Sequence, residues 1–123
     1  MTKGLIVYLV ILVCIVVSCD TKIPFDKNKW NEKDDIIFKY RNDMVDNIID
    51  SKMLIGKNKN QVHELLGNSG DFGEQDTIDL YEIKTNYDMI DPHYIKYLEI
   101  QYNRNMIVNK CKITEYKKGI KTN

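Results

Sequence analysis

Three cysteines, two histidines and a run of carboxylates are the residues in this 123-residue chain whose types could do chemistry. A thiolate is a nucleophile, and Cys111 would qualify if a histidine and a carboxylate converged on it. Cys111 alternates with Ile113 on the inward side of an expected strand, so it reads as a small core residue. His63 follows Val62 in an amphipathic stretch and His93 lies in Asp91-Pro92-His93-Tyr94, with no spacing that suits a zinc site. Asp71, Glu74, Asp76 and Asp79 lack the spacing of a calcium loop and read as solvated loop charge. No nucleophile elbow, phosphate loop or dinucleotide motif is present. The expectation is no catalytic residue, no metal and no cofactor. Catalysis by the histidines would require His63 or His93 within hydrogen-bonding reach of a carboxylate in a pocket.

Cys19 has a different setting. Leu5 to Val17 is a continuous, mostly aliphatic run that as a helix would span about 20 Å, too short for a hydrocarbon core of about 30 Å. Lys3 gives a positive start and Ser18 a small residue at a cleavage position, the pattern of a secretion signal. Val16-Val17-Ser18-Cys19 resembles a bacterial lipobox. That resemblance implies a diacylglyceryl group on the Cys19 sulfur, cleavage between Ser18 and Cys19, and acylation of the new amino terminus. Two or three acyl chains hold a protein far more firmly than one. The competing readings are a plain signal peptide or a short membrane anchor with an incidental cysteine. Cysteine arithmetic favours the lipobox: Cys14 leaves with the signal, Cys19 is lipidated, and Cys111 remains without a partner for a disulfide.

The expected division is a signal over 1–18, a lipidated tether and lead-in over 19–41, a folded domain over 42–116 and a tail over 117–123. The chain has 18 basic and 18 acidic residues, and loss of Lys3 leaves one excess negative charge. Such a balance lacks the basic stripe of a nucleic-acid partner. Residues 20–34 are polar with one proline and no regular period, and read as tether. Phe25 and Trp30 are the exceptions, either inserting at a membrane interface or packing back onto the domain's edge.

Stepping along the domain, Met44, Val45, Ile48, Ile49 and Met53 recur at helical spacing and predict a helix from Asn42-Asp43 to about Leu54, capped by Asp43 and ended by Gly56. Ile36 to Tyr40 is a lead-in turn or a short strand. Asn58 and Gln61 form a capping-box pair ahead of Val62, Leu65 and Leu66, with Gly67 as the stop. Residues 77–85 read as a strand with its register open at Leu80-Tyr81, and residues 96–102 alternate cleanly. Leu98, Ile100 and Tyr102 share one face. Tyr97, Glu99 and Gln101 share the other, with Tyr81 a candidate to join them. Asn103-Arg104-Asn105 turns the chain into a last strand over 106–116, with Ile107, Cys111 and Ile113 inward. The fold class is α+β: two N-terminal helices packed on a three-stranded antiparallel β-sheet. Tyr97, Glu99 and Gln101 are the candidate partner-binding face, against the plainer reading of a half-solvated sheet surface.

The central MLIGKNKNQVHELLGN and the later YLEIQYNRNMIVNKCKI resemble the small SmpA/OmlA-type lipoproteins, the BamE-like family. Gly56 takes the place of the family's first glycine, Asn58 of its Thr/Ser cap, Val62 of its valine, and Leu66-Gly67 of its closing pair. The resemblance covers about residues 43–116, lacks the family's usual proline soon after the closing glycine, and extends in layout to β-lactamase inhibitory proteins. It implies a non-catalytic protein-binding or scaffold module in the cell envelope, anchored to a membrane by its N-terminal lipid and serving an envelope protein partner. The outer membrane is preferred over the inner, although Asp20 after the cysteine resembles the retention signal of enteric bacteria. The alternative is an inhibitor or immunity-type lipoprotein directed at one envelope enzyme or toxin.

Overall fold

The computed structural model describes residues 22–69 and 77–119. The segment read as tether is part of the fold from the first described residues. The Ile23 N–H donates to the Asp43 carbonyl at 3.0 Å, and the Phe25 N–H to Asn47 Oδ1 at 2.9 Å. Asp26 then caps a single helical turn, α1 (Lys27–Trp30), its Oδ1 accepting from the Asn28 and Lys29 N–H groups. One turn is too short to persist alone. Trp30 at its end supplies the missing stability: it is fully buried and its Nε1–H donates to the Leu66 carbonyl at 3.0 Å. Phe25 and Tyr81 meet its ring edge-on, each with centroids 6.2 Å away. Trp30 is therefore a central core residue rather than a tether or edge residue.

Residues 33–38 form a small hairpin, β1 (Lys33–Asp34) against β2 (Ile37–Phe38), turned by Asp35 at φ +58°, so the stretch from Ile36 to Tyr40 supplies its second strand. It brings Phe38 beside Arg41, the first residue of α2 (Arg41–Asp50). The Arg41 guanidinium stands 3.3 Å from the Phe38 ring centroid and 4.5 Å from that of Trp30. Its Nε–H donates to the Trp30 carbonyl and an Nη1–H to the Glu82 carbonyl, both at 2.9 Å. One buried cation thus ties α1, α2 and the sheet together. Burial lowers its pKa to about 10, with Glu82 opposing that shift.

Met44, Val45 and Ile48 face the core from α2, as their spacing requires. The helix is shorter than expected, because Ser51 ends it and residues 51–56 turn to bury Leu54. Tyr40, not Asp43, occupies the N-cap, with no side-chain bond. Gly56 at φ +85° permits the next step: its N–H donates to the Val108 carbonyl and the Val108 N–H donates to the Lys57 carbonyl. Then α3 (Lys59–Leu66) opens with the expected reciprocal capping box, both Asn58–Gln61 bonds at 2.9 Å. Val62 and Leu66 are buried, and Gly67 at φ +79° ends it.

The sheet is antiparallel in the order β3 (Ile78–Asp88), β4 (Asp91–Tyr102), β5 (Val108–Lys117). The chain is α+β, with N-terminal helices packed against this three-stranded sheet. Register shifts fall between Glu82 and Lys84, between Asn86 and Tyr87, and at Gln101/Tyr102. The open register of β3 settles with Asp79, Tyr81, Ile83 and Thr85 inward. Tyr81 consequently leaves the polar face and joins the core, its hydroxyl donating to the Gly67 carbonyl at 2.7 Å. Leu98, Ile100 and Tyr102 complete the inner face, as alternation requires. On β5 the fully buried residue is Val108, one position beyond the expected Ile107, while Cys111 and Ile113 are half-buried against the core. Lys117 closes β5 instead of opening a tail.

Candidate functional site

The most concentrated set of polar groups surrounds Asp79, near the start of β3, whose carboxylate sits on the buried face. It is 3% exposed, which corrects its reading as solvated loop charge. The Tyr102 hydroxyl donates to Oδ2 at 2.6 Å and the Ser69 hydroxyl to Oδ1 at 2.9 Å. His63 Nε2 lies 2.9 Å from Oδ2, and Lys59 Nζ 3.9 Å from Oδ1. A carboxylate only accepts, so the His63 proton facing it is on Nε2. The opening of α3 delivers Lys59 and His63 one turn apart on the side that faces β3, and the capping box fixes that opening.

Burial alone would raise the Asp79 pKa. The bonds from Tyr102, His63 and Ser69 and the Lys59 charge outweigh it and hold the carboxyl below its ordinary range. The same carboxylate, after burial, pushes the Tyr102 phenol well above its usual value. The order of these groups matters chemically. In a nucleophilic triad the hydroxyl gives its proton to the imidazole, and the carboxylate stands behind. Here Ser69, Tyr102 and His63 all donate to one carboxylate, which suits fixing an anion in place. His63 thus meets a carboxylate, but the two cavities described below are lined by other residues. His93 is exposed and engaged through its carbonyl, which accepts from the Lys118 N–H.

Tyr97, Glu99 and Gln101 lie together on the outer face of β4, as expected. Glu99 is their centre, with its side chain 15% exposed. It accepts from Gln101 Nε2 at 2.7 Å and from Thr114 Oγ1 at 3.4 Å, and pairs with Lys112 Nζ at 3.4 Å. Tyr97 stands opposite Glu82 on one side and Thr114 on the other. Burial, then the Glu82 charge, raises its phenol pKa. The face is a knitted polar surface with tyrosine area beside it. Such a surface holds a fixed pattern of donors and acceptors.

Cys111 lines a groove of about 330 Å³ between the end of α2 and β5, with Ile48, Ile49, Ile55, Lys52 and Lys110. Burial pushes its thiol up to about 11, which disfavours the nucleophilic thiolate. A second cleft, of about 340 Å³, lies between Lys22–Pro24 and the Asp46–Asp50 side of α2. Among the described residues no group of three or more His, Cys, Asp or Glu side chains is placed to hold a metal ion. No helix among them is long and apolar enough to cross a membrane.

Ser18 and Cys19, the expected cleavage and lipid-attachment residues, lie outside the described residues, as do Asp71, Glu74 and Asp76. Sequence reasoning missed the Asp79 cluster and the Arg41 clasp. The signal for the first was present: Asp79, Tyr81, Ile83 and Thr85 share one parity, and two of them belong in a core. Neither a family model, nor a curated protein, nor a solved structure matches the chain.

Proposed function

We propose that the chain is a bacterial lipoprotein, cut before Cys19 and held to a membrane of the cell envelope by acyl chains on that residue. Its domain serves as a non-catalytic protein-binding or scaffold module. The observation that carries this reading is the lipobox-like Val16-Val17-Ser18-Cys19 closing a signal-like run, with the described domain beginning after two intervening residues, at Lys22. The outer sheet face with Tyr97, Glu99 and Gln101 is the surface assigned to the partner. The helix–helix–sheet layout agrees with the resemblance to SmpA/OmlA-type lipoproteins, whose best-known role is in outer-membrane β-barrel assembly.

Intact mass of the membrane-extracted protein tests the anchoring. A mass equal to residues 19–123 plus acyl groups, lost in Cys19→Ala, supports it; retention of residues 1–18 overturns it. Capture from solubilised membranes tests the role. Recovery of barrel-assembly components supports the scaffold reading, whereas a single stoichiometric enzyme or toxin replaces it with the inhibitor or immunity reading.

A further inference from the structure

The β3–β4 turn departs from the residues its backbone would favour. Asp88 and Asp91 face each other across a two-residue turn, and Met89, the first residue within it, has φ +59°. Glycine, asparagine or aspartate usually occupies such a position. Here methionine is followed by isoleucine, 94% and 89% exposed respectively, with exposed Tyr87 just behind. Beyond Thr85 the inward alternation of β3 gives way to three exposed residues, so the hairpin projects past the helix layer.

The length of chain before the domain says what meets this tip. Ile23 is bonded to the Asp43 carbonyl, one residue from Asn42, which accepts from Lys96 Nζ at 2.9 Å. Lys96 faces Lys84 across the sheet. Ile23 thus enters the fold at the Lys84–Lys96 end of the sheet, and that rung is four residues short of Asp88, or about 13 Å along the strand. Cys19 precedes Ile23 by the same four residues, an extended reach of at most about 14 Å. The link is thus comparable in length to the stretch of hairpin beyond that rung.

Charge selects between the surfaces that so short a link can hold against a bilayer. The α2 surface beside Ile23 carries Asp43, Asp46 and Asp50 against Lys22, which pairs with Asp46 at 3.3 Å, an excess of negative charge that an anionic leaflet repels. The hairpin end is balanced: Lys84, Lys117 and Lys118 stand with Asp88, Asp91 and Glu115, Lys118 pairing with Asp91 at 3.4 Å and Lys117 with Glu115 at 3.7 Å. We propose that the β3–β4 tip, led by Met89 and Ile90, dips into the interface of the same bilayer that holds Cys19. This inference rests on the lipoprotein reading. The two apolar side chains enter between headgroups, Asp88 and Asp91 stay at headgroup level, and Tyr87 takes the interfacial position that tyrosine favours. The second contact fixes the tilt of the domain.

The test uses the full, membrane-extracted chain returned to vesicles of phosphatidylcholine and phosphatidylglycerol, with plain or brominated acyl chains. The unsubstituted chain supplies the Trp30 background. In Ile90→Trp the added emission should fall about two-fold or more in brominated vesicles, as for an interfacial side chain, and in Ile55→Trp, at the far end of the domain, it should not. Equal emission in both vesicle types, with lipid on Cys19 confirmed by mass, overturns the proposal and leaves the lipoprotein reading standing. A Cys19 without lipid overturns both. Tyr87→Trp in a chain that also carries Met89→Asn and Ile90→Gly, a better turn sequence, should fold normally and show less quenching than Tyr87→Trp alone; equal quenching in the two counts against the tip contact.

Discussion

The Tyr102 hydroxyl donates to Asp79 Oδ2 at 2.6 Å, joining the last residue of β4 to the second residue of β3 through an ion inside the fold. A hydrogen bond to a charged acceptor contributes about 1.5–3 kcal/mol. Tyr102→Phe keeps the ring and removes the donor, so it should lower unfolding free energy by about that amount in urea titrations. An unchanged midpoint would mean that water replaces the phenol.

Asp79 also sets a pH dependence. Its folded pKa lies below the ordinary value, so the unfolded chain binds the proton more readily. The stabilisation is complete above the unfolded pKa of about 3.9 and is lost as pH falls through the folded pKa. Unfolding free energy measured near pH 6 and below pH 3 should therefore differ less in Asp79→Asn than in the unsubstituted chain. Equal differences would show that other carboxylates carry the acid sensitivity.

Arg41 gives a test of shape against charge. Its guanidinium lies between Phe38 and Trp30 while bonding two carbonyls in different elements. A lysine ammonium keeps the charge without the planar fork. Arg41→Lys should cost about 1–3 kcal/mol, from at least one buried carbonyl left unpaired. The same denaturant titration reads it.

Much of this architecture is legible in the chain. Asn58, Gln61, Val62, Leu66 and Gly67 mark α3 because local capping and spacing decide a short helix, and Leu98, Ile100 and Tyr102 mark β4 because alternation does. The central place of Trp30 and the buried place of Asp79 are not legible, because their surroundings are non-local. Trp30 sits in a polar stretch, and only Leu66, 36 residues away, gives its indole a partner. Asp79 looks like loop charge until Tyr102, Ser69 and His63 are brought to it. The Tyr97–Glu99–Gln101 face was readable as a face, but its cross-strand bonds to Lys112 and Thr114 depend on the β5 register.

The domain boundary follows from the same non-local contacts. A fragment restricted to residues 42–116 lacks Trp30 and Arg41, and so loses the core's largest aromatic residue and the clasp around it. It should show no cooperative thermal transition by near-ultraviolet circular dichroism. Residues 22–119 should show one. A folded 42–116 fragment would make the N-terminal segment dispensable.

Cys111 should react slowly. With its thiol pushed up to about 11, the thiolate is scarce at pH 8. In a chain with Cys14→Ser and Cys19→Ser, modification by an aromatic disulfide reagent should run about tenfold or more slower than for an exposed cysteine. Denaturant should abolish the difference.

The backbone from Ile23 to Trp30 enters the domain as a graded series of attachments: the Asp43 carbonyl, the Asn47 amide, the Asp26 cap and then the buried indole. Tension applied at the N-terminal side meets them one at a time. Load on that side therefore reaches the outer attachments before it reaches the residue on which the core depends.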